Sequence, residues 1–194
     1  MASKKTEKFD RIIDAAVKVF AETGYHGSQV SKIAREAGVA DGTIYLYFKS
    51  KEDILVSLFR VRLGELVEKF KESVEASDTA DGAIRKICEL HYRELESNPD
   101  FAYVTQIELR QSSLELRKAI GQALKPYIQL IEEVLVQGIE EGTFRQGLDV
   151  KLTRLLIFGG IDEAVTSWLI SGRKYSLSAQ INSTVEFFLK ALKP

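Results

Sequence analysis

The sequence predicts an all-α fold of about nine helices. Three observations carry that prediction. Apolar residues recur at three- and four-residue steps nearly throughout, helix start and stop signals punctuate the chain, and no pair of alternating strands brackets an Asn-Gly turn anywhere. Phe9, Ile12, Ile13, Ala16 and Phe20 mark a first helix, which Gly24 stops. Residues 29–37 form a short second helix, with Gly38 where a left-handed C-cap residue would sit. A third short segment spans 41–48. Ser50 and Asp53 have the spacing of a capping box, so a fourth helix should start near Lys51 and run to about residue 75 on Ile54, Leu55, Leu58, Val61, Leu66 and Phe70. A small, polar loop at 77–82 precedes a fifth helix through Ile84, Ile87, His91 and Leu95. Asn98-Pro99 reads as an N-cap and first-turn proline opening a sixth helix. Ser112 and Glu115 give a second capping box and a seventh helix to Gly142, which Pro126 should kink or interrupt. Two more helices follow, roughly 149–171 and 178–192.

Composition narrows the class of molecule. The 194 residues are 45% apolar with only 3 Pro and 13 Gly, which excludes wholesale disorder and low-complexity character. The longest apolar run, Leu155–Ile161, is far short of the ~20 residues a membrane span needs. The N-terminus has no apolar signal core, so a cytoplasmic setting is expected, and the single cysteine, Cys88, excludes a disulfide framework. Net charge is −1. Residues 1–52 carry nine Lys/Arg and seven Asp/Glu, against eighteen and twenty-one in 53–194, an asymmetry too weak to argue from.

The segment Thr43-Ile44-Tyr45-Leu46-Tyr47-Phe48 has the propensity of a strand. No partner strand is near, and a lone strand would leave its backbone groups unpaired. As a helix it puts Ile44 and Phe48 on one face. Two short helices bracketing Gly38-Val39-Ala40 then make a helix-turn-helix, whose third helix is free to enter a major groove. Ile33, Ala34, Ala37 and Val39 are small enough for the helices to cross closely. Gly42 allows close backbone approach to a duplex. Thr43, Tyr45, Tyr47 and Lys51 offer donors to phosphates, as do Ser28 and Ser31 at the start of the second helix. Leu46 can meet a thymine methyl. Asp41 is better suited to capping its helix than to reading a cytosine amine.

Residues 11–55 resemble the DNA-binding head of TetR-type repressors. The resemblance is carried by Ile13, Ala15, Ala16, Phe20, Gly24, Tyr25, Ile33, Ala34, Ala37, Gly38, Val39, Gly42, Thr43, Tyr45, Phe48, Lys51 and Glu52 in order and spacing. Ala40 and Asp41 depart from it, since such repressors often have a capping Ser or Thr and then a basic or polar residue there. The resemblance implies a head at 1–50 that binds double-stranded operator DNA, and a ligand-sensing and dimerisation domain at 51–194. The last two helices suit a homodimer, through Gly159-Gly160 and the stripe Ile181, Val185, Phe188 and Leu192; the less favoured alternative is an intrachain core.

One branch resembles the chain over nearly its whole length. Residues 39–48, 105–112 and 158–163 are similar to the fatty-acid-degradation (FadR-type) repressors of Gram-positive bacteria. That resemblance implies repression of β-oxidation genes and release by long-chain acyl-CoA as effector, with no cofactor. An acyl chain buries at ~0.8 kcal/mol per methylene and needs a dry tunnel, while the CoA phosphates need Arg or Lys at its mouth. Arg110, Arg117 and Lys118 are the first candidates for that mouth, and Arg85 and Lys86 the second. Each could instead pair with a surface Glu such as Glu108, Glu115 or Glu89. Trp168, Tyr103 and Phe101 would line the tunnel or simply pack, and Gln106 would meet the thioester or a buried neighbour.

The competing readings are an enzyme and a TetR-type sensor of another lipophile, such as a drug that induces an efflux pump. No Gly-x-Ser-x-Gly, Gly-Lys-Ser/Thr loop, Gly-x-Gly-x-x-Gly or His-Glu-x-x-His occurs, and the adjacent carboxylates Asp162 and Glu163 face different ways on a helix. His91, three residues after Cys88, has no further ligands nearby in sequence, so it reads as a core residue and no metal is expected.

Overall fold

The computed structural model describes residues 2–108, 110 and 113–194, and side chains from residue 6 onward. Among them nine α-helices follow one another: α1 (Ala2–Gly27), α2 (Val30–Glu36), α3 (Asp41–Ile44), α4 (Lys51–Glu75), α5 (Ala80–Ser97), α6 (Pro99–Glu108), α7 (Leu114–Glu140), α8 (Val150–Ile170) and α9 (Ile181–Leu192). A single 3₁₀ turn at Ser178–Gln180 leads into α9. The chain packs as two compact units, residues 1–64 with 103–123, and residues 65–102 with 124–194.

In the first unit α1 is the central support. Ile12, Ile13, Ala16 and Phe20 are fully buried, together with Ile33, Ala34, Ile44, Phe48, Leu55 and Leu58. Phe9 stacks on Phe48 with ring centroids 5.2 Å apart. The backbone leaves helical geometry at Gly24 (φ 68°, ψ 161°), where the sequence placed the stop, and a further turn continues to Gly27.

The second unit is built on α5, which packs against α8 and α9. Its buried positions, Ile84, Ile87, Cys88, His91, Tyr92 and Leu95, have the three- and four-residue spacing of one helical face. They join Phe70, Ile131, Val134, Leu135, Ile161, Val165, Val185 and Phe188 in one core. Thr79 caps α5 by accepting from the Gly82 N–H, and Asp149 caps α8 by accepting from the Leu152 N–H.

Several expectations need correction. The stretch expected to be helical over 41–48 is helical only to Ile44, followed by tight turns in which Leu46 N–H reaches Thr43 O and Tyr47 N–H reaches Ile44 O. Asn98 does not cap α6 with its side chain; its amide donates to Glu94 O at the end of α5 instead. Of the kink or interruption expected at Pro126, the interruption does not occur, since α7 runs through it. Ser112, expected to open α7, lies outside the described residues; the hydroxyl of Ser113 accepts from Leu116 N–H there. The stripe Ile181, Val185, Phe188 and Leu192 is buried in the chain's own core rather than offered to a partner, and Gly160 admits the Phe188 ring.

Candidate functional site

The helix-turn-helix is built by its caps. Val39 N–H bonds Ala34 O at 3.0 Å and Gly38 N–H bonds Arg35 O at 3.1 Å, the pair of bonds that ends a helix in a Schellman motif. Gly38 takes φ 65°, which a side chain would resist. Sequence reasoning missed Arg11, whose guanidinium donates to the Ala37 carbonyl and so ties α1 to the end of α2. Nothing local in the sequence signals a bond between residues 26 positions apart.

After α3 the side chains alternate sharply between inside and outside. Ile44 and Phe48 are buried, as their spacing predicts, whereas Tyr45 is 60% and Leu46 78% exposed. Gly42 and Ser31 are exposed, and Thr43 and Tyr47 half-buried, with the Tyr47 ring 6.5 Å from Phe9. Asp41 does not cap α3, whose start carries no side-chain cap bond; it lines an open groove with Ser31, Lys32 and Arg35. Lys32 and Arg35 were also missed, although Ser31 and Arg35 stand one turn apart on α2. Lys32 is ion-paired to Glu22 at 2.9 Å.

Two expected phosphate donors turn out to be engaged inside the head. Ser28 is 5% exposed and its hydroxyl donates to Tyr25 O at 2.7 Å. The Lys51 ammonium donates to Tyr25 O (2.8 Å) and Ser28 O (3.0 Å) and lies 4.5 Å from the Tyr25 ring centroid. These bonds commit the Ser28 hydroxyl proton and two of the three Lys51 ammonium protons to the turn between α1 and α2. The Tyr25 hydroxyl donates to Glu52 at 2.8 Å. Its backbone N–H donates to the buried Glu108 carboxylate at 2.7 Å. Burial, then the Glu52 carboxylate, pushes the Tyr25 phenol up from its ordinary value.

The expected effector residues fall into two groups. Tyr103, Gln106, Arg110, Arg117 and Lys118 belong to the 103–123 segment of the first unit. Tyr103 is 38% exposed and Gln106 is buried. The Arg110 guanidinium donates to Gln106 O at 2.5 Å, closing the end of α6. Arg117 and Lys118 are exposed on α7. Arg85, Lys86 and Trp168 belong to the second unit. Arg85 donates to Asn182 Oδ1 at 3.0 Å, Lys86 pairs with Glu89 at 3.3 Å, and the Trp168 indole donates to Tyr175 O at 2.9 Å. Trp168 is buried with its polar group satisfied, which is the packing alternative for this residue.

Comparison with known proteins adds weight to this geometry. Residues 12–58 match the sequence model "Bacterial regulatory proteins, tetR family", and residues 59–191 match "YsiA-like protein, C-terminal region". The chain belongs to the TetR family. It is 49% identical over 189 residues, 97% of both chains, to the fatty acid metabolism regulator protein of Bacillus subtilis (strain 168). The crystal structure of the transcriptional regulator FadR from Bacillus subtilis in complex with stearoyl-CoA superposes with a TM-score of 0.92 at 49% identity, covering 95% of this chain and 99% of that one. FadR from Bacillus halodurans gives a TM-score of 0.92 at 45% identity, covering 95% and 100%. Within the family the chain is therefore of the FadR type, a transcriptional regulator and not an enzyme.

In this regulator His91 and Cys88 are interior groups. His91 Nδ1 shares a hydrogen bond of 3.0 Å with the Tyr127 hydroxyl, and burial pushes the Cys88 thiol up to about 12, keeping it protonated. Burial also lowers the His91 pKa to about 4, a shift that Asp162 opposes. The ordinary value is 6.5, so between those limits the unfolded chain takes up a proton that the folded one refuses. Stability is therefore full above about pH 6.5 and falls as pH drops towards 4, by roughly 3 kcal/mol in all. Urea unfolding of wild type and His91→Leu at pH 7.5 and 4.5 should show a smaller acid loss in the variant. Equal losses would place the His91 titration outside the folding equilibrium.

Proposed function

We propose that this protein represses fatty acid degradation genes, binding operator DNA as a homodimer in the cytoplasm and releasing it when long-chain acyl-CoA binds. The observation that carries the DNA half is the outward presentation of Tyr45 and Leu46 beside exposed Gly42 and Ser31, on a head whose inner residues are fully packed. These residues, with Thr43 and the half-buried Tyr47, are the reading face. Lys51 and Ser28 support it from within by fixing the Tyr25 turn. The effector half rests on the relatives above, one of them solved with stearoyl-CoA. In this reading Arg110, Arg117 and Lys118 meet the CoA phosphates, and Tyr103 and Gln106 stand near the thioester. Arg85, bonded to Asn182, and Lys86, paired with Glu89, are the second choice and belong to the other unit.

The homodimer has a surface of its own. Along α8, Leu152 (52%), Leu155 (53%) and Leu156 (64%) are exposed at helical spacing, and on α9 Phe187 is 71% exposed. Exposed apolar side chains in such a row favour a second copy, and two helices from each subunit would form a four-helix interface. The double variant Leu156→Glu/Phe187→Glu should sediment as a monomer and lose at least ~100-fold in operator affinity, because one head reaches only one half-site. A variant that remains dimeric would remove this face from the interface.

Native mass spectrometry of freshly purified protein tests the effector. Co-purifying long-chain acyl-CoA supports the reading. A bound aromatic cation would point to a drug-responsive regulator instead.

A further inference from the structure

Glu108 is the last residue of α6 and is only 3% exposed. A carboxylate is expensive to bury unless it is held by donors. Its Oε1 accepts from the Tyr25 N–H across 83 residues of sequence. The same oxygen would lie 3.7 Å from a Cβ on Gly24, the residue where α1 breaks. Tyr25 is itself a junction. Its carbonyl receives Lys51 from α4 and Ser28 from the approach to α2, and its hydroxyl reaches Glu52. The turn that orients the helix-turn-helix is thus fastened to the start of α4 and to the end of α6.

Two residues beyond Glu108, Arg110 folds back on the Gln106 carbonyl and closes the same helix end. Both residues belong to the unit that contains the head. We propose that Glu108 is a positioning residue: its carboxylate holds Tyr25, and through it the DNA-reading helices, in the operator-competent arrangement. An anion that draws Arg110 off Gln106 loosens the last turn of α6 and withdraws Glu108 from Tyr25. This second step rests on the acyl-CoA reading above. The first step does not.

The test uses full-length Glu108→Ala and Glu108→Gln, with operator affinity measured without and with saturating stearoyl-CoA. The ratio of the two dissociation constants gives the coupling. Without ligand, Glu108→Ala should bind operator about ten-fold more weakly than wild type, and stearoyl-CoA should change its affinity by less than about three-fold, well under the usual range of coupling. Glu108→Gln keeps an oxygen that can accept from the Tyr25 N–H and should recover most of both quantities. A merely structural role would lower the melting temperature of both variants and leave the coupling ratio intact. Wild-type operator affinity in Glu108→Ala overturns the proposal whatever the ligand does. If stearoyl-CoA fails to release wild-type protein, the acyl-CoA reading falls, and the ligand-free comparison still decides the role of Glu108. If Glu108→Ala does not fold, amide exchange at Tyr25 in wild-type protein decides. Exchange should speed up on adding stearoyl-CoA, and protection unchanged by a ligand that does release DNA overturns the proposal.

Discussion

Gly42→Val should weaken operator binding by at least ~100-fold, about 3 kcal/mol, without harming the fold. Gly42 lies in the four-residue helix α3, is exposed, and would meet nothing within 4 Å if given a Cβ. The free protein therefore has room for the side chain. Valine is also a better helix former than glycine, by a few tenths of a kcal/mol, so the melting temperature should stay level or rise slightly. The space that valine would occupy is the space in front of α3, where the proposed duplex lies. Three added carbons there push the backbone off the groove floor and with it Thr43, Tyr45 and Leu46. Fluorescence anisotropy on an operator duplex, with a thermal melt beside it, separates the two effects. Affinity within about three-fold of wild type, a difference under 1 kcal/mol, would take the start of α3 out of the interface.

The second large effect concerns stability rather than DNA. Gly138 lies in α7, and after that helix the chain turns back so that Phe144 N–H bonds Gly138 O at 2.9 Å. The buried Phe144 ring rests on the glycine. A Cβ at 138 would fall 2.1 Å from Phe144 Cδ2 and 2.4 Å from Cε2. The ring cannot yield by a small rotation, because it is 1% exposed and packed in the core of the second unit. Alanine should gain about 1 kcal/mol of helix propensity and lose more to overpacking and displacement of Phe144, for a net loss of roughly 2–3 kcal/mol. In a chain of this length that lowers the melting temperature by roughly 4–12 °C. The double variant Gly138→Ala/Phe144→Leu should be less destabilised than the two single losses added together, since the clash is shared. An unchanged melting temperature in Gly138→Ala would show that the chain after α7 can move aside at no cost.

How much of this was legible in the sequence depends on distance along the chain. Features set within one turn could be read directly. Gly38 ends α2, Ser50 Oγ accepts from Asp53 N–H, and Ile44 and Phe48 face inward while Tyr45 and Leu46 face out. In the capping box even the local rule was only half right, since Asp53 reaches back to Lys49 N–H rather than to Ser50. The contacts that the sequence does not reveal are those between remote residues. Lys51 carries the right chemistry for a phosphate, and nothing nearby in sequence reveals that Tyr25 O, 26 positions away, takes one of its hydrogen bonds. Glu108 was weighed only as a surface partner for an arginine. Arg11 and its carbonyl acceptor are separated by a whole helix. Periodicity has a second blind spot: it shows that a face is apolar without saying what covers it. The α9 stripe serves its own core, whereas the leucines of α8, set in a helix that is apolar nearly all round, are the ones left exposed.

In the proposed mechanism an acyl thioester loosens the protein's grip on DNA. The direct measurement is anisotropy of the protein on a duplex it has itself selected from random sequence, titrated with stearoyl-CoA, with free CoA as the control. Stearoyl-CoA should release the protein fully, CoA alone should not, and operator affinity should fall steeply with added salt. Operator binding that stays constant as stearoyl-CoA saturates the protein would contradict that mechanism.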